Sequence, residues 1–208
     1  MVHETVRAAF DDLCRRRGAG GAVLEIGATP TPDSLLYLPA LGGATERVGL
    51  DLRGPHRFRG VDIVRGDANA MPFPDARFDT VLMNSVLEHD RRFWRTLAEV
   101  RRVARPGALV ALGVPGFVAA PRPRALLILR RLRRLPILGR RLDAALASVP
   151  TLLIHNFPGD YYRFSEQAMR EVLLEGLDAV EIAVVLTPPR LIGSGRIPAR
   201  APAPRTPP

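Results

Sequence analysis

The sequence predicts an α/β protein with a doubly wound, mainly parallel sheet. The apolar run 22–28 reads as a short buried strand that Gly27 ends, and Thr31-Pro32 after it reads as a helix start. Further apolar segments then alternate with helical patterns, as in parallel sheets whose crossover connections are helices. An acid, Asp51, ends the second strand about 24 residues after Gly27, where it could accept hydrogen bonds from ribose hydroxyls. In such a sheet the carboxyl ends of the strands form a crevice for a nucleotide-like ligand.

The remaining elements follow from hydrophobic periodicity and from turn residues. After the first strand we predict strands at 47–52, 61–65, 79–84, 108–114, 179–186 and 190–196. A short helix is predicted from Thr31, and Pro39 ends it. Amphipathic helices are predicted around 6–13, over 90–104 and, capped by Ser165, to about Leu174.

Length and composition indicate one main domain. We expect residues 1–197 to form a single domain with an insertion at about 116–150, followed by a proline-rich, disordered tail at 198–208. The single cysteine, Cys14, excludes an internal disulfide framework and suits a reducing compartment. Neither a secretory leader pattern nor an apolar run of about 18 residues is visible, so we expect a cytoplasmic protein.

The net charge of +9 is concentrated in the insertion. Eight arginines and no acid lie between Arg122 and Arg141, and the rest of the chain is nearly neutral. The charge therefore describes one segment and does not indicate a nucleic-acid-binding domain. We predict that residues 122–142 form a basic amphipathic helix that contacts an anionic membrane. One alternative is a lid that packs on the sheet and turns its arginines to water. A second is an acidic partner protein that binds the same arginines; RNA is disfavoured because the segment has no aromatic residue to stack on bases.

Four segments in register carry a family resemblance. VLEIGA at 23–28, GLDL at 49–52, GDANAMPFPDARFD at 66–79 and NSVLEH at 84–89 together resemble a class I S-adenosylmethionine-dependent methyltransferase of the small-molecule type. HNFPGDYYRFSEQAMREVL at 155–173 resembles the segment before the penultimate helix of such enzymes. The resemblance implies a Rossmann-like fold, S-adenosylmethionine as cofactor, and methyl transfer to a small-molecule or glycan acceptor, lipid-linked acceptors included.

The matched residues can be given roles toward that cofactor. The Glu25 carboxylate suits the methionine end, and burying it without a partner would be costly. Asp51 suits the ribose diol. By resemblance, Asp67 would accept from the adenine amino group, and the Ala68 N–H would bond a ring nitrogen. The same resemblance places four further residues in the cofactor pocket, with the last two near the transferring methyl: Gly27, Leu52, Asn84 and Ser85. Ala28, next to Gly27, is the last residue predicted to bind the cofactor.

The acceptor side is predicted from two segments. His89, just past the fourth strand, could deprotonate a hydroxyl acceptor near neutral pH, although a packing role at a helix entry is the alternative. The segment 155–164 is expected to close over the acceptor through four residues: His155, Tyr161, Tyr162 and Arg163. The spacing of cysteines and histidines suggests no metal site.

The first loop departs from the family pattern. It reads Gly27-Ala28-Thr29-Pro30-Thr31-Pro32, so one glycine stands where the family has several, and two prolines remove N–H donors. A second hypothesis is therefore a non-catalytic binding or scaffold protein on a degenerate methyltransferase fold. A nicotinamide-dependent reductase is a third reading, and it is disfavoured because the chain has no lysine for a Tyr-x-x-x-Lys pair.

Overall fold

The computed structural model describes residues 3–117, 159–186 and 189–199. The chain divides into two compact units, one formed by 1–117 with 156–208 and the other by 118–155. The second unit lies outside the described residues, and so do His155, the basic segment 122–142 and all but the first two residues of the predicted tail.

The first unit is built on one mixed sheet flanked by helices. Its strands are β1 (Ala22–Ile26), β2 (Glu46–Asp51), β3 (His56–Phe58), β4 (Val61–Arg65), β5 (Phe78–Asn84), β6 (Ala104–Phe117), β7 (Phe164–Ser165), β8 (Asp178–Val185) and β9 (Arg190–Arg196). The order is β3-β4-β2-β1-β5-β6-β9-β8, with β7 paired to β6 outside this path. Strands β4, β2, β1, β5 and β6 are mutually parallel, whereas β3 and β9 run antiparallel to their neighbours. The predicted fold class is confirmed.

Helices cover both faces of the sheet. Successive residues of a buried strand point to opposite sides, so neighbouring residues of β1 contact different helices. Val23 packs with α1 (Glu4–Arg16) and the segment 35–41, while Leu24 packs with α2 (Phe93–Val103) and the helical segment 166–173. All five residues of β1 are buried, as a central strand covered on both faces requires.

The connections place the ends of the parallel strands at one edge. Strand β1 pairs with β2 on one side and with β5 on the other, so the chain changes direction across the sheet between β1 and β5. Ligands bind at such a switch point, outside the carboxyl ends of the strands. Helix α2 begins beyond the end of β5 and runs directly into β6, so its N-terminus lies at the same edge.

The predicted helix at Thr31-Pro32 is wrong. Residues 31–33 form turns, and two 3₁₀ helices follow, Leu35–Tyr37 and Pro39–Leu41. The residue before a proline avoids helical geometry, and Leu38 is accordingly extended (φ −64°, ψ 135°). Pro39 therefore ends the helical turn that precedes it, as predicted, and only the start and the type of this helix differ from the prediction.

Other boundaries agree with the sequence to different degrees. The bounds predicted for β4 and β9 are confirmed. Helix α2 starts three residues later than predicted, and β6 extends from Ala104 to Phe117 rather than over 108–114. Strand β3, an edge strand that forms a hairpin with β4 across Arg59 and Gly60, is absent from the sequence-based prediction.

Candidate active site

The loops that follow β1 and β5 touch at the switch point. Gly27 has φ +77°, and a Cβ atom placed there would lie 2.5 Å from Cγ2 of Val86. A side chain at Gly27 would therefore be strained by its backbone and would also clash with the opposite loop. This glycine keeps the loop after β1 close against the loop after β5.

Glu25 is buried at the centre of this edge and is bound by protein groups. Its carboxylate accepts hydrogen bonds from the Ser34 hydroxyl, the Leu35 amide at 3.1 Å and the Leu36 amide at 3.3 Å. Burial raises the pKa of this carboxyl group, and the three hydrogen bonds oppose that rise. Glu25 thus holds the N-terminus of the first 3₁₀ helix. A ligand group that bonded to this carboxylate would share its oxygens with Ser34, Leu35 and Leu36.

The first loop also uses its own amides. The Gly27 and Ala28 N–H groups both donate to the Leu50 carbonyl, at 2.8 and 3.1 Å. The Thr31 N–H donates to the Thr29 carbonyl at 2.8 Å, and the two threonine hydroxyls lie 3.1 Å apart. The loop is therefore stabilised internally, and it does not present a row of amide donors.

Two carboxylates at neighbouring strand ends keep acceptor capacity. Asp51, at the end of β2, accepts from the Arg53 amide at 2.8 Å through Oδ1. Asp67, after β4, accepts from the Asn69 amide at 2.8 Å, also through Oδ1. Within the described part of the chain, the Oδ2 atom of each accepts no hydrogen bond. Leu52 is exposed beside Asp51, and Ala68 is half-buried beside Asp67.

A charged cluster lies beyond the end of β5. Ser85 has φ +56°, and its hydroxyl accepts a hydrogen bond from Nη1 of Arg190 at 3.0 Å. The same Nη1 atom lies 3.5 Å from Oε1 of Glu88, a fully buried side chain. Asn84 is half-buried at the strand end, and a Cβ atom placed at Gly113 on β6 would lie 2.3 Å from its Oδ1.

His89 is oriented by the chain that returns to the sheet. Its Nδ1 atom is hydrogen-bonded to the Gly159 carbonyl, which can only accept, so Nδ1 carries the proton and in the neutral ring Nε2 is the basic atom. Nε2 lies 3.9 Å from Oε1 of Glu88. The Tyr161 amide donates to the Glu88 carbonyl at 2.7 Å and fixes the same segment against the Leu87–His89 turn.

Of the predicted acceptor segment, Arg163 acts on this cluster, and the side chains of Tyr161 and Tyr162 lie apart from it. Arg163 forms a bidentate ion pair with Asp160, and its positive charge also acts on Glu88. The Tyr162 hydroxyl donates to the Arg91 carbonyl at 3.1 Å. Tyr161 lies at the surface next to Tyr162.

Sequence analysis missed Glu88, Asp160 and Arg190. Glu88 had a usable signal, since it is an acid inside the apolar run that ends at His89. Asp160 and Arg190 had none, because their partners are fixed only by long-range packing. Among the described residues no cluster of acids, histidines and cysteines could hold a metal ion, and no described helix is long and apolar enough to cross a membrane.

Comparisons with known proteins show that the central strands are similar to a known family. Residues 42–112, which span β2 to most of β6, match the family described as methyltransferase domain. The phthiotriol/phenolphthiotriol dimycocerosates methyltransferase 1 of Mycobacterium ulcerans is 40% identical over 114 residues, which are 51% of this chain and 40% of that protein. The fatty-acid O-methyltransferase of Mycolicibacterium smegmatis is 38% identical over 96 residues, 42% of this chain and 35% of that protein. The chain thus matches less than half the length of each relative.

A solved structure shows the same fold. The Burkholderia thailandensis 1,6-didemethyltoxoflavin-N1-methyltransferase, which holds 1,6-didemethyltoxoflavin and S-adenosylhomocysteine, superposes with a TM-score of 0.61 at 18% identity. The alignment covers 94% of this chain and 79% of that chain.

Proposed function

We propose that the protein transfers a methyl group from S-adenosylmethionine to an oxygen atom of a lipid-like small molecule. The proposal starts from the similarity of the chain to class I methyltransferases. The proposal depends on one observation: a single sheet edge carries two strand-end carboxylates whose Oδ2 atoms accept no hydrogen bond among the described residues, a buried acid and an oriented histidine. Asp51 and Asp67 lie on one side of the switch point, and Glu88 and His89 lie on the other.

The residues fit the cofactor best at its nucleoside end. The free Oδ2 atoms of Asp51 and Asp67 suit a ribose diol and an exocyclic amino group, and Leu52 and Ala68 offer apolar contact beside them. Gly27 leaves room where a Cβ would meet Val86. Glu25 supports the loop and is less available for direct contact. When bound, S-adenosylmethionine supplies an electrophilic methyl group, and the protein supplies orientation.

His89 would take the proton of a hydroxyl acceptor on Nε2. The Gly159 carbonyl holds the ring in the required tautomer, and Glu88 would stabilise the imidazolium that results. Ser85 and Asn84 lie at the end of β5, beside this group, where they would contact the acceptor oxygen. Tyr162 and Arg163 would complete the acceptor side, together with His155, which lies outside the described residues.

The relatives support the class of acceptor. Their names record methylation of phthiotriol dimycocerosates and of fatty acids, which are lipids that offer an oxygen nucleophile. A lipid-linked glycan would present the same chemistry. The basic segment 122–142 stays a predicted contact with an anionic membrane, since it lies outside the described residues.

The experiment is transfer of isotope-labelled methyl groups from S-adenosylmethionine to a panel of fatty acids and hydroxylated lipids. Labelled product is expected with the wild-type protein. His89→Asn keeps a donor toward the Gly159 carbonyl and removes Nε2, so turnover of a hydroxyl acceptor should fall about 10²- to 10⁴-fold. Affinity for S-adenosylhomocysteine should not change. Equal turnover of the variant would remove His89 from the reaction.

A second candidate is a non-catalytic protein on this fold. The occupied loop amides at Gly27 and Ala28 favour it, as do the occupied oxygens of Glu25. This candidate predicts a folded protein that binds no S-adenosylhomocysteine. Binding of the nucleoside therefore separates the two proposals before any acceptor is known.

A further inference from the structure

Two large aromatic side chains are exposed beside the acceptor segment. Trp94 is 56% exposed and Tyr161 is 48% exposed. They are joined through half-buried rings, since Phe93 lies 5.5 Å from Trp94 and 5.1 Å from Tyr162, which in turn lies 6.3 Å from Tyr161. The exposed rings therefore rest on a packed aromatic base.

Three arginines surround these rings without acidic partners. Arg91, Arg92 and Arg95 are exposed, and none forms an ion pair within the described ranges. The guanidinium of Arg91 lies 5.6 Å from the centre of the Tyr161 ring. The nearby acid Asp90 is engaged by Thr96, Asn69 and a backbone amide, and the first turn of α2 contains no acid. We call Arg91, Arg92, Trp94, Arg95 and Tyr161 the Trp94 patch.

The Trp94 patch borders the candidate site. It occupies the N-terminus of α2, which lies at the carboxyl edge of the sheet. The Tyr161 backbone amide is hydrogen-bonded to the Glu88 carbonyl at 2.7 Å, one residue from His89. A surface that covered the Trp94 patch would therefore lie next to the turn that carries Glu88 and His89.

We propose that the Trp94 patch docks on the surface of an anionic lipid bilayer. Tryptophan and tyrosine favour the membrane–water interface because their rings combine an apolar body with a polar atom. Arginines near an anionic leaflet each add about fivefold in affinity. Docking in this orientation turns the sheet edge that carries His89 toward the lipid. The proposal goes beyond methyl transfer and does not depend on it.

Trp94 is the single tryptophan of the chain, so its fluorescence reports on this patch alone. The full-length protein is mixed with vesicles of phosphatidylcholine, with or without phosphatidylglycerol, at low and at raised salt. We expect a blue shift with the anionic vesicles and quenching by brominated lipid, both suppressed by salt. An unchanged Trp94 spectrum contradicts the proposal, whether the protein stays free or co-sediments through another segment.

Charge reversal at matched positions separates docking from overall charge. Arg95→Glu lies in the Trp94 patch and should weaken vesicle binding at least fivefold. Arg170→Glu changes an equally exposed arginine on the helical segment 166–173 and should leave binding near the wild-type value. Equal losses in the two variants would show attraction to net charge only and would overturn the assignment to the Trp94 patch.

Discussion

Oε1 of Glu88 lies 3.5 Å from Nη1 of Arg190, and both carboxylate oxygens of Glu88 lack a hydrogen bond among the described residues. Burial raises the pKa of this carboxyl group, against the opposing fields of His89, Arg190 and Arg163. A buried acid in this state lowers stability. Because Glu88 lies beside His89, we infer that the protein keeps this destabilising acid for its function.

Glu88→Gln should stabilise the protein by an amount that grows with pH. Because the folded pKa is raised, the folded state binds the proton more tightly, and the free energy of unfolding falls as pH rises above the ordinary carboxyl value of about 4.3. Glutamine has no such dependence. Urea unfolding of both proteins below and above that pH tests this, and a pH-independent difference would contradict it.

The same substitution should slow a hydroxyl-dependent reaction. Glutamine cannot stabilise the imidazolium that forms when His89 takes the proton, so turnover of a hydroxyl acceptor should fall in the variant. Affinity for S-adenosylhomocysteine should stay within about twofold, since Glu88 is placed on the acceptor side. Turnover of the variant equal to that of the wild-type protein would reduce Glu88 to a packing role.

Gly27→Ala should cost more stability than Gly107→Ala. The two glycines have similar φ values, +77° and +81°, but only Gly27 faces a neighbour within 4 Å of a Cβ atom. The backbone strain alone costs about 1–2 kcal/mol at either position. Val86→Ala, combined with Gly27→Ala, should recover the extra loss. Unfolding free energies that are equal for the two glycine variants would show that the two loops do not press on each other.

Glu25→Ala should lower the free energy of unfolding by about 2–4 kcal/mol, because three donors from Ser34, Leu35 and Leu36 lose their acceptor. Ser34→Ala should reproduce part of that loss, since Ser34 both donates to Glu25 and caps Leu36. Chemical denaturation measures both variants. If Ser34→Ala alone left the stability unchanged, the capping role would be excluded.

The sequence predicted the fold because each parallel strand is a short apolar run with clear ends. It brought several candidate residues to one sheet edge for the same reason: Asp51, Asp67 and Ser85 lie at or just after the ends of such runs. It failed where tertiary contacts override local signals. Ser34 rather than Thr31 begins the helical turns because Glu25 reaches it across the sheet edge. Arg190 joins Glu88 only through the antiparallel pairing of β9 with β6.

Arg163→Ala should raise the KM for the acceptor at least tenfold and leave the affinity for S-adenosylhomocysteine unchanged. The substitution removes the ion pair to Asp160 that shapes the segment docked on Glu88. Tyr162→Phe, which loses one hydrogen bond to the Arg91 carbonyl, should have a smaller effect in the same direction. Steady-state kinetics with the acceptor found in the labelling experiment measures both variants. Unaltered kinetics in both would remove the segment from the acceptor site.

Calorimetry with S-adenosylhomocysteine tests the central claim most directly. The wild-type protein should bind it and should not bind NAD. Asp51→Ala should weaken binding about ten- to a hundredfold, because a charge-assisted hydrogen bond contributes about 1.5–3 kcal/mol. Asp62→Ala, which removes an exposed acid paired with Arg57, is the matched control and should bind normally. A folded wild-type protein that gives no binding heat and no competition with S-adenosylmethionine at any concentration tested would contradict the assignment.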